Sequence, residues 1–139
     1  MKTFAQLFEE RRGAVDNGAY VRSNAPEVFR GTSLVLRESM PYAPPIEGAR
    51  FGIAFYSLPD LLILDDVVER SRKSSHARNG QVEVIDILNF KSMQDVEALF
   101  PGLTPAYGTP MIGVWAHGEL IQKGWGVRDA QRISRTLFT

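Results

Sequence analysis

The chain of 139 residues, with 44% hydrophobic and 23% charged residues, has the size and composition of one globular domain. Sixteen basic residues balance sixteen acidic ones, so no overall charge attracts nucleic acid or an anionic membrane. The absence of cysteine excludes disulfides, thiolate metal sites and thiol redox chemistry. The chain start lacks the continuous apolar segment of a signal peptide, and no apolar run approaches the roughly 20 residues that span a bilayer. We therefore expect a cytoplasmic protein.

The first part of the chain predicts one short helix and one strand. Apolar residues at spacings of three and four place a single apolar face on the helix: Phe4, Leu7 and Phe8. The Asp16-Asn17-Gly18 cluster indicates the turn that ends this helical region. Further along, the mostly apolar residues 33–36, with the sequence SLVL, are typical of a strand.

A proline-rich stretch then provides the one credible internal boundary. Each proline lacks a backbone donor and disfavours helix in its predecessor, so an extended connector is indicated at Pro41, Pro44 and Pro45. The residues before it are too few for an independent core. We therefore expect a single domain over residues 1–139, in which residues 1–45 are an N-terminal extension packed on the core.

From Arg50 onward, strand-like and helix-like segments alternate. Apolar runs predict four strands, at 51–56, 82–88, 111–116 and 119–125. Apolar residues at helical spacing predict helices that end near Lys73, Phe100 and Phe138. Because a helix separates the first two strands, we expect these strands to pair in parallel as a right-handed βαβ unit. The pair His117-Gly118 between the last two strands predicts a tight hairpin.

This order of elements resembles the thioredoxin superfamily over residues 50–138. The stretches that carry the resemblance are FGIAFYSLPD, VEVIDILNF, YGTPMIGVW and HGELIQKGWGV. In that family a strand leads into Cys-x-Pro-Cys at the start of the first core helix, and a cis-proline begins a later strand. Here Ser57-Leu58-Pro59-Asp60 lies at the redox motif, and Thr109-Pro110 lies where the cis-proline belongs. The resemblance implies a thioredoxin-like three-layer α/β/α sandwich with a mixed central sheet.

The redox motif retains its proline but has lost both cysteines. Without a thiolate there is no mixed disulfide and no resolving thiol, so thiol–disulfide exchange cannot occur. Ser57 does not substitute, because a hydroxyl is far too weakly acidic to ionise at a helix terminus. A hydrolytic serine would need a histidine base nearby, and His76 and His117 lie in a polar loop and a hairpin turn. We therefore expect a redox-inactive protein that is not an enzyme.

The segment from Ser57 to Asp60 has two interpretations. As a helix start, Ser57 can cap a backbone N–H, Pro59 suits an early helical position, and Asp60 completes a pattern similar to a capping box. On the functional interpretation, Ser57 and Asp60 line a groove for a substrate or a peptide. The local pattern favours capping, and a role in a groove is compatible with it.

Pro110 also has two interpretations, a turn that shapes the fold or part of a binding surface. In the family, the backbone beside this proline pairs with an extended segment of a bound partner, which requires only free N–H and C=O groups. The residues predicted to line such a groove are Tyr56, Ser57, Leu58, Pro59, Asp60, Tyr107, Thr109 and Pro110. The resemblance thus implies a protein that binds another polypeptide, as a chaperone, an adaptor or an assembly factor.

Two other functions stay open. A structural or assembly subunit would dock through residues 1–45, onto a protein partner or a second copy of the chain. An enzyme of non-thiol chemistry would use Asp60 as an acid or a base. That role requires a deep pocket and a raised pKa for Asp60, whereas the start of a helix should lower the pKa of a carboxyl group.

No cofactor, metal or nucleic-acid ligand is predicted. The two histidines and the Asp65-Asp66 pair have no recognised ligand spacing, and Asp65-Asp66 is typical of a solvated helix face. No glycine-rich loop provides a phosphate site. A loose basic cluster lacks the aromatic residues of a single-strand binding platform: Arg70, Arg72, Lys73 and Arg78.

Overall fold

The computed structural model describes residues 3–10, 17–37, 46–55, 57–74, 81–90, 92–103 and 108–138. Within them the helices are α1 (Phe4–Glu10), α2 (Asn17–Val28), α3 (Leu58–Lys73), α4 (Met93–Leu99) and α5 (Gly126–Leu137). The strands are β1 (Leu34–Arg37), β2 (Gly48–Ile53), β3 (Val82–Asp86), β4 (Met111–Ala116) and β5 (Glu119–Trp125), and a 3-10 turn follows β3 at Ile87–Asn89. The predicted connector at residues 41–45 and two residues of interest, His76 and Arg78, lie outside the described residues.

The five described strands form one mixed sheet in the order β1-β3-β2-β4-β5. Strands β1 and β2 run parallel to β3, whereas β4 is antiparallel to both β2 and β5. The predicted parallel pairing of β2 with β3 is confirmed. Because β2 has a neighbouring strand on each side and is covered on both faces, every residue from 48 to 53 is buried.

The two faces of the sheet carry separate apolar clusters. Side chains alternate along β2, so Ala49, Phe51 and Ile53 belong to the larger cluster, together with apolar residues of α1, α2, α3 and α5. The second cluster, on the other face, contains Trp115 and apolar residues of α4. The Trp115 ring lies over Gly113, where a Cβ atom would come within 2.3 Å of it. The sheet is therefore the middle layer of three.

The start of the chain belongs to the larger cluster. Phe4 is fully buried, and its ring meets that of Phe29 edge to face with 5.6 Å between the centroids. Asp65 of α3 accepts hydrogen bonds from the backbone N–H groups of Phe4, at 2.7 Å, and Ala5, at 3.0 Å. The prediction of a solvated face at Asp65 is therefore wrong, because its carboxylate satisfies donors at the start of α1 that the helix itself cannot pair.

Helix α2 was not expected from the sequence. The Asp16-Asn17-Gly18 cluster predicts a turn, yet α2 begins at Asn17 and continues through Pro26. Its apolar residues Val21, Ala25 and Val28 are buried at spacings of four and three. Packing of that face against the core stabilises the helix despite the poor helix propensity of glycine and proline.

The predicted strand boundaries agree with the structure for β4 and β5 but not for β2. Strands β4 and β5 match the predicted residues, and the hairpin residues His117 and Gly118 both have positive φ, 54° and 79°, as a two-residue type I′ turn requires. Strand β2 begins and ends three residues before the predicted 51–56. It ends there because the N–H of Ala54 donates to a side-chain carboxylate and not to a neighbouring strand.

Candidate functional site

The candidate site lies where β2 ends and β4 begins. Gly52 of β2 pairs with Met111 of β4 in antiparallel register. The residues that follow β2 and the residues that precede β4 must therefore lie side by side at one edge of the sheet. This topology brings the turn into α3 next to Thr109-Pro110, as the groove prediction requires.

The Asp60 side chain forms hydrogen bonds with both of these segments. Its side chain is 2% exposed, and its Oδ2 accepts a hydrogen bond of 2.8 Å from the N–H of Ala54. The side chain of Thr109 also donates a hydrogen bond to the Asp60 carboxylate. One buried carboxylate thus holds the end of β2, the first turn of α3 and the residue before Pro110 together. Asp60 is therefore buried beneath the predicted groove and is not at its surface.

The predicted capping box at the start of α3 is wrong. Ser57 occupies the N-cap position with an extended backbone, but its side chain makes no capping hydrogen bond. Its N–H donates to the carbonyl of Ala54 at 3.0 Å, and its carbonyl accepts the first helical bond from Leu61, also at 3.0 Å. Asp60 points into the core toward Ala54, because that N–H has no partner in the sheet. Helix α3 therefore starts without a side-chain cap from Ser57.

The pKa of Asp60 also departs from expectation. Burial raises it above the ordinary aspartate value, and the hydrogen bonds from Ala54 and Thr109 lower it by less. The lowering expected from the helix start is thus outweighed by desolvation. The residue that carries this raised pKa is buried, with 2% of its surface exposed.

A second buried carboxylate, Asp86, supports the same turn and was missed in the sequence. It ends β3 directly beside Ile53 of β2. Its oxygens accept hydrogen bonds from the N–H of Leu88 at 3.1 Å and from Arg22 at 2.9 Å, and the backbone of Phe55 also hydrogen-bonds to it. Burial raises the pKa of Asp86, and these donors and the Arg22 charge oppose the rise. A signal was present, since an acid at the carboxyl end of a parallel strand lies at the functional edge of an α/β sheet.

On the other side of the predicted groove are Thr109 and Pro110, which are joined by a cis peptide bond. Pro110 is buried, and its carbonyl accepts a hydrogen bond of 2.8 Å from the N–H of Gly126. Thr109 is half-buried and follows the exposed Gly108. Within the described part of the chain, the backbone N–H and C=O of Thr109 make no hydrogen bond.

The predicted groove residues separate into three groups. Asp60 and Pro110 are buried and form the floor, whereas Ser57, Leu58 and Thr109 are half-buried and Pro59 is exposed. Tyr56 and Tyr107, which were also predicted to line the groove, lie outside the described residues. We define the groove by the residues at its surface: Ser57, Leu58, Pro59 and Thr109.

Two further classes of site were searched for in the described residues. No group of three or more histidine, aspartate or glutamate side chains there could hold a metal ion. Every helix in the same ranges is too short or too polar to cross a membrane.

The fold is similar to that of a mutant thioredoxin from Halobacterium salinarum NRC-1. The match has a TM-score of 0.51 and 15% sequence identity, and it covers 75% of this chain and 87% of the thioredoxin. No family model matches the sequence, and no curated protein matches it. The predicted thioredoxin-like α/β fold is confirmed, and the chain lacks cysteine altogether. Thiol–disulfide exchange is therefore excluded for this chain.

Proposed function

We propose that this chain is a redox-inactive thioredoxin-fold protein that binds an extended segment of another polypeptide in the groove between the start of α3 and Thr109. The observation that carries the proposal is the backbone of Thr109. Its N–H and C=O make no hydrogen bond within the described residues, and they lie at the edge of the groove. An extended chain that lies along Thr109 would pair with both groups by β-augmentation.

Buried contacts hold the residues around Thr109 in place, which suits the binding of an extended polypeptide. The buried Asp60 connects Thr109 to Ala54, and the buried Asp86 connects the adjacent Phe55 to β3. Both walls of the groove are thus anchored to the sheet. A rigid groove costs less conformational entropy on binding than a mobile loop does. None of these contacts involves a thiol, so loss of the cysteines leaves this surface intact.

Two backbone hydrogen bonds cannot provide specific binding by themselves. Each contributes about 1 kcal/mol net, whereas a dissociation constant of about 1 μM needs about 8 kcal/mol. Pro110 has no N–H, so the ladder cannot continue past Thr109 on that side. Side chains of the bound polypeptide must therefore contribute most of the affinity, through contacts beside the groove.

The direct test is affinity capture from the native host, with the partners of the wild-type chain compared with those of Thr109→Arg. The arginine places a long charged side chain across the groove. Thr136→Arg is the matched control, because Thr136 is exposed on α5, away from the groove. We expect Thr109→Arg to lose the partners that wild type and Thr136→Arg retain, with unfolding curves that show both variants folded. An unchanged set of partners would refute binding in the groove.

The same comparison addresses docking through the N-terminal region. Deletion of residues 1–45 would remove β1 and the buried Phe4, so a truncated chain would lose part of its sheet and core. Point variants at the groove avoid that problem. Partners that survive Thr109→Arg would have to bind elsewhere, and docking through the N-terminal region would then become the better proposal.

A further inference from the structure

Strand β1 forms an open edge of the sheet. It lies at one end of the five described strands and pairs in parallel with β3. The carbonyl of Ser33, just before β1, accepts a hydrogen bond of 3.1 Å from the N–H of Val82 in β3. Hydrogen-bonding directions alternate along a strand, so the backbone groups of Leu34 and Leu36 point away from β3.

Three of the four outward backbone groups are unpaired within the described residues. The N–H of Leu34 accepts no further partner, since it donates to Oγ1 of Thr32 at 3.1 Å. The carbonyl of Leu34 and both backbone groups of Leu36 make no hydrogen bond in the same ranges. An extended segment beside β1 would pair with these three groups by β-augmentation.

The two edge strands of the described sheet differ in their protection against such pairing. The register of β5 on β4 shifts between Val114 and Trp115, and β5 exposes Lys123. Irregular register and an exposed lysine both discourage the addition of a strand. Strand β1 pairs regularly along its whole length and begins with three apolar residues. An added strand is therefore better accommodated at β1 than at β5.

A cavity of about 390 Å³ lies beside this edge, between α2 and β1. Its volume is within the range of ligand pockets in proteins. Its apolar lining includes Pro26, Phe29, Leu34 and Leu36. Leu34 belongs to the larger apolar cluster and Leu36 packs against it, so the cavity is on the α2 face of the sheet. Every second side chain of an added strand would point to this face, where a large apolar one fits the lining.

The charged part of the described lining is basic, with two arginines and no acid. Arg22 forms an ion pair with Asp86 at 2.9 Å. Arg30 is exposed, and its side chain makes no hydrogen bond or ion pair within the described part of the chain. Its guanidinium would attract a carboxylate on an added strand and repel a lysine. Because alternate side chains share a face, that acid would be two residues from the apolar one.

We infer that the β1 edge is a second polypeptide-binding surface, which takes an extended segment with a large apolar residue and an acidic residue two positions apart. The segment pairs with the backbone of Leu34 and Leu36, its apolar side chain enters the cavity, and its carboxylate faces Arg30. Two strands, β3 and β2, separate β1 from β4. The inference therefore goes beyond the proposed function and does not depend on binding at Thr109.

The experiment measures the affinity of labelled peptides for the full chain by fluorescence anisotropy. The peptides share a serine- and threonine-rich sequence and carry leucine with glutamate, leucine with lysine, or serine with glutamate at two positions separated by one residue. Each pair is made in both orders, because an added strand can run in either direction. We expect the leucine–glutamate peptide to bind best in one of these orders. Replacing its leucine by serine should weaken binding about tenfold, which corresponds to about 1.4 kcal/mol, and replacing its glutamate by lysine should weaken binding several-fold.

Arg30→Glu tests the charge selection. It should reverse the preference for glutamate over lysine in the peptide. Arg128→Glu is the matched control and should keep that preference, because Arg128 is an exposed arginine on α5, which packs on β4 and β5 at the other end of the sheet. An unchanged preference in Arg30→Glu would overturn the inference.

Leu36→Pro tests the backbone pairing. The proline removes an N–H that faces the open edge, so no hydrogen bond to β3 is lost. We expect it to abolish peptide binding, while Leu36→Val, which keeps the N–H, retains binding. If urea unfolding shows that the proline variant does not fold, amide hydrogen exchange of the wild type decides. The Leu36 amide should become protected at saturating peptide while the Val35 amide, which faces β3, stays unchanged, and an unprotected Leu36 amide would overturn the inference.

The remaining outcomes separate the β1 edge from the groove and from self-association. Thr109→Arg should bind these peptides as the wild type does, and loss of binding in that variant would place them in the groove and overturn the inference. A wild type that binds none of them overturns it as well. If that wild type also self-associates in sedimentation, and Leu36→Pro makes it monomeric, the edge pairs with a second copy of the chain instead.

Discussion

Asp60 and Asp65 lie five residues apart in α3, yet they support different parts of the molecule. Asp60, which is 2% exposed, holds the N–H of Ala54, only six residues before it, and supports the floor of the groove. Asp65 accepts hydrogen bonds from the N–H groups of Phe4 and Ala5, about sixty residues before it, and holds the start of α1 against α3. The end of β2 therefore depends on a local contact, and the start of α1 depends on a long-range one.

Helix α3 thus supports two segments of the chain, the end of β2 and the start of α1. Asp60 is buried and Asp65 is half-buried, and burial raises the pKa of each above the ordinary value. Each is stabilised by backbone donors that would otherwise be unpaired at the end of a strand or at the start of a helix. Removing Asp60 leaves the buried N–H of Ala54 without its acceptor, and removing Asp65 leaves the part-buried N–H groups of Phe4 and Ala5 without theirs.

The largest effect is expected for Asp65→Ala. The variant leaves the N–H groups of Phe4 and Ala5 without their acceptor, and we expect a loss of about 2 kcal/mol in the free energy of unfolding. Asp65→Asn should lose about half as much, since an amide offers one acceptor oxygen for two donors. Urea denaturation measures both. Equal stability of the alanine and asparagine variants would contradict the two-donor contact.

The effect of Asp60→Asn should depend on pH. Because the folded-state pKa of Asp60 is raised, the folded protein holds this proton more tightly than the unfolded chain does. Stability from this group is therefore present at low pH and lost as pH rises from the ordinary aspartate value of 3.8 through the folded pKa. Asparagine keeps an acceptor for Ala54 and carries no charge, so the variant should gain stability over wild type as pH rises.

Urea denaturation of wild type and Asp60→Asn between about pH 3 and pH 7 measures this difference. Asp60→Ala is the control, because it removes the charge and also the acceptor. It should lose about 1–2 kcal/mol by leaving the single N–H of Ala54 buried and unpaired. A constant difference between Asp60→Asn and wild type across the whole range would show that Asp60 is not desolvated in the folded protein.

The smallest effect is expected for Ser57→Ala. A capping serine typically contributes about 1 kcal/mol, but the Ser57 side chain makes no capping hydrogen bond. We therefore expect the unfolding free energy to change by less than about 0.5 kcal/mol. A loss of about 1 kcal/mol, the typical value for an N-cap, would show that the Ser57 side chain does cap α3.

The parts of the fold that depend on neighbouring residues were predictable from the sequence. Strands β4 and β5 and their turn were predicted to the residue, because a two-residue loop with glycine fixes both the turn and the register. Helix α2 was not predicted, since Gly18 and Pro26 argue against a helix that tertiary packing of Val21 and Ala25 stabilises. The β4–β5 hairpin is therefore determined by neighbouring residues, whereas α2 is determined by burial against residues distant in sequence.

The candidate site was also predictable from the sequence only in part. Asp60 and Thr109-Pro110 stand out in the sequence through the resemblance, which places them at one edge of the sheet. The partners of Asp60 were not predictable, because a helix pattern shows an acid near the start of a helix without showing which N–H it accepts. Asp86 was missed because its role consists of contacts to Arg22 and Phe55, which are distant in sequence.

The central claim is that a bound polypeptide pairs with the backbone of Thr109. Amide hydrogen exchange of the isotope-labelled chain, measured by NMR with and without an extended peptide taken from a captured partner, tests it most directly. Binding in the groove predicts that the Thr109 amide becomes protected and that the amides of Leu58 and Asp60 shift, while those of His117 and Gly118 in the hairpin do not change. Saturated binding that leaves the Thr109 amide exchanging as in the free protein would contradict it.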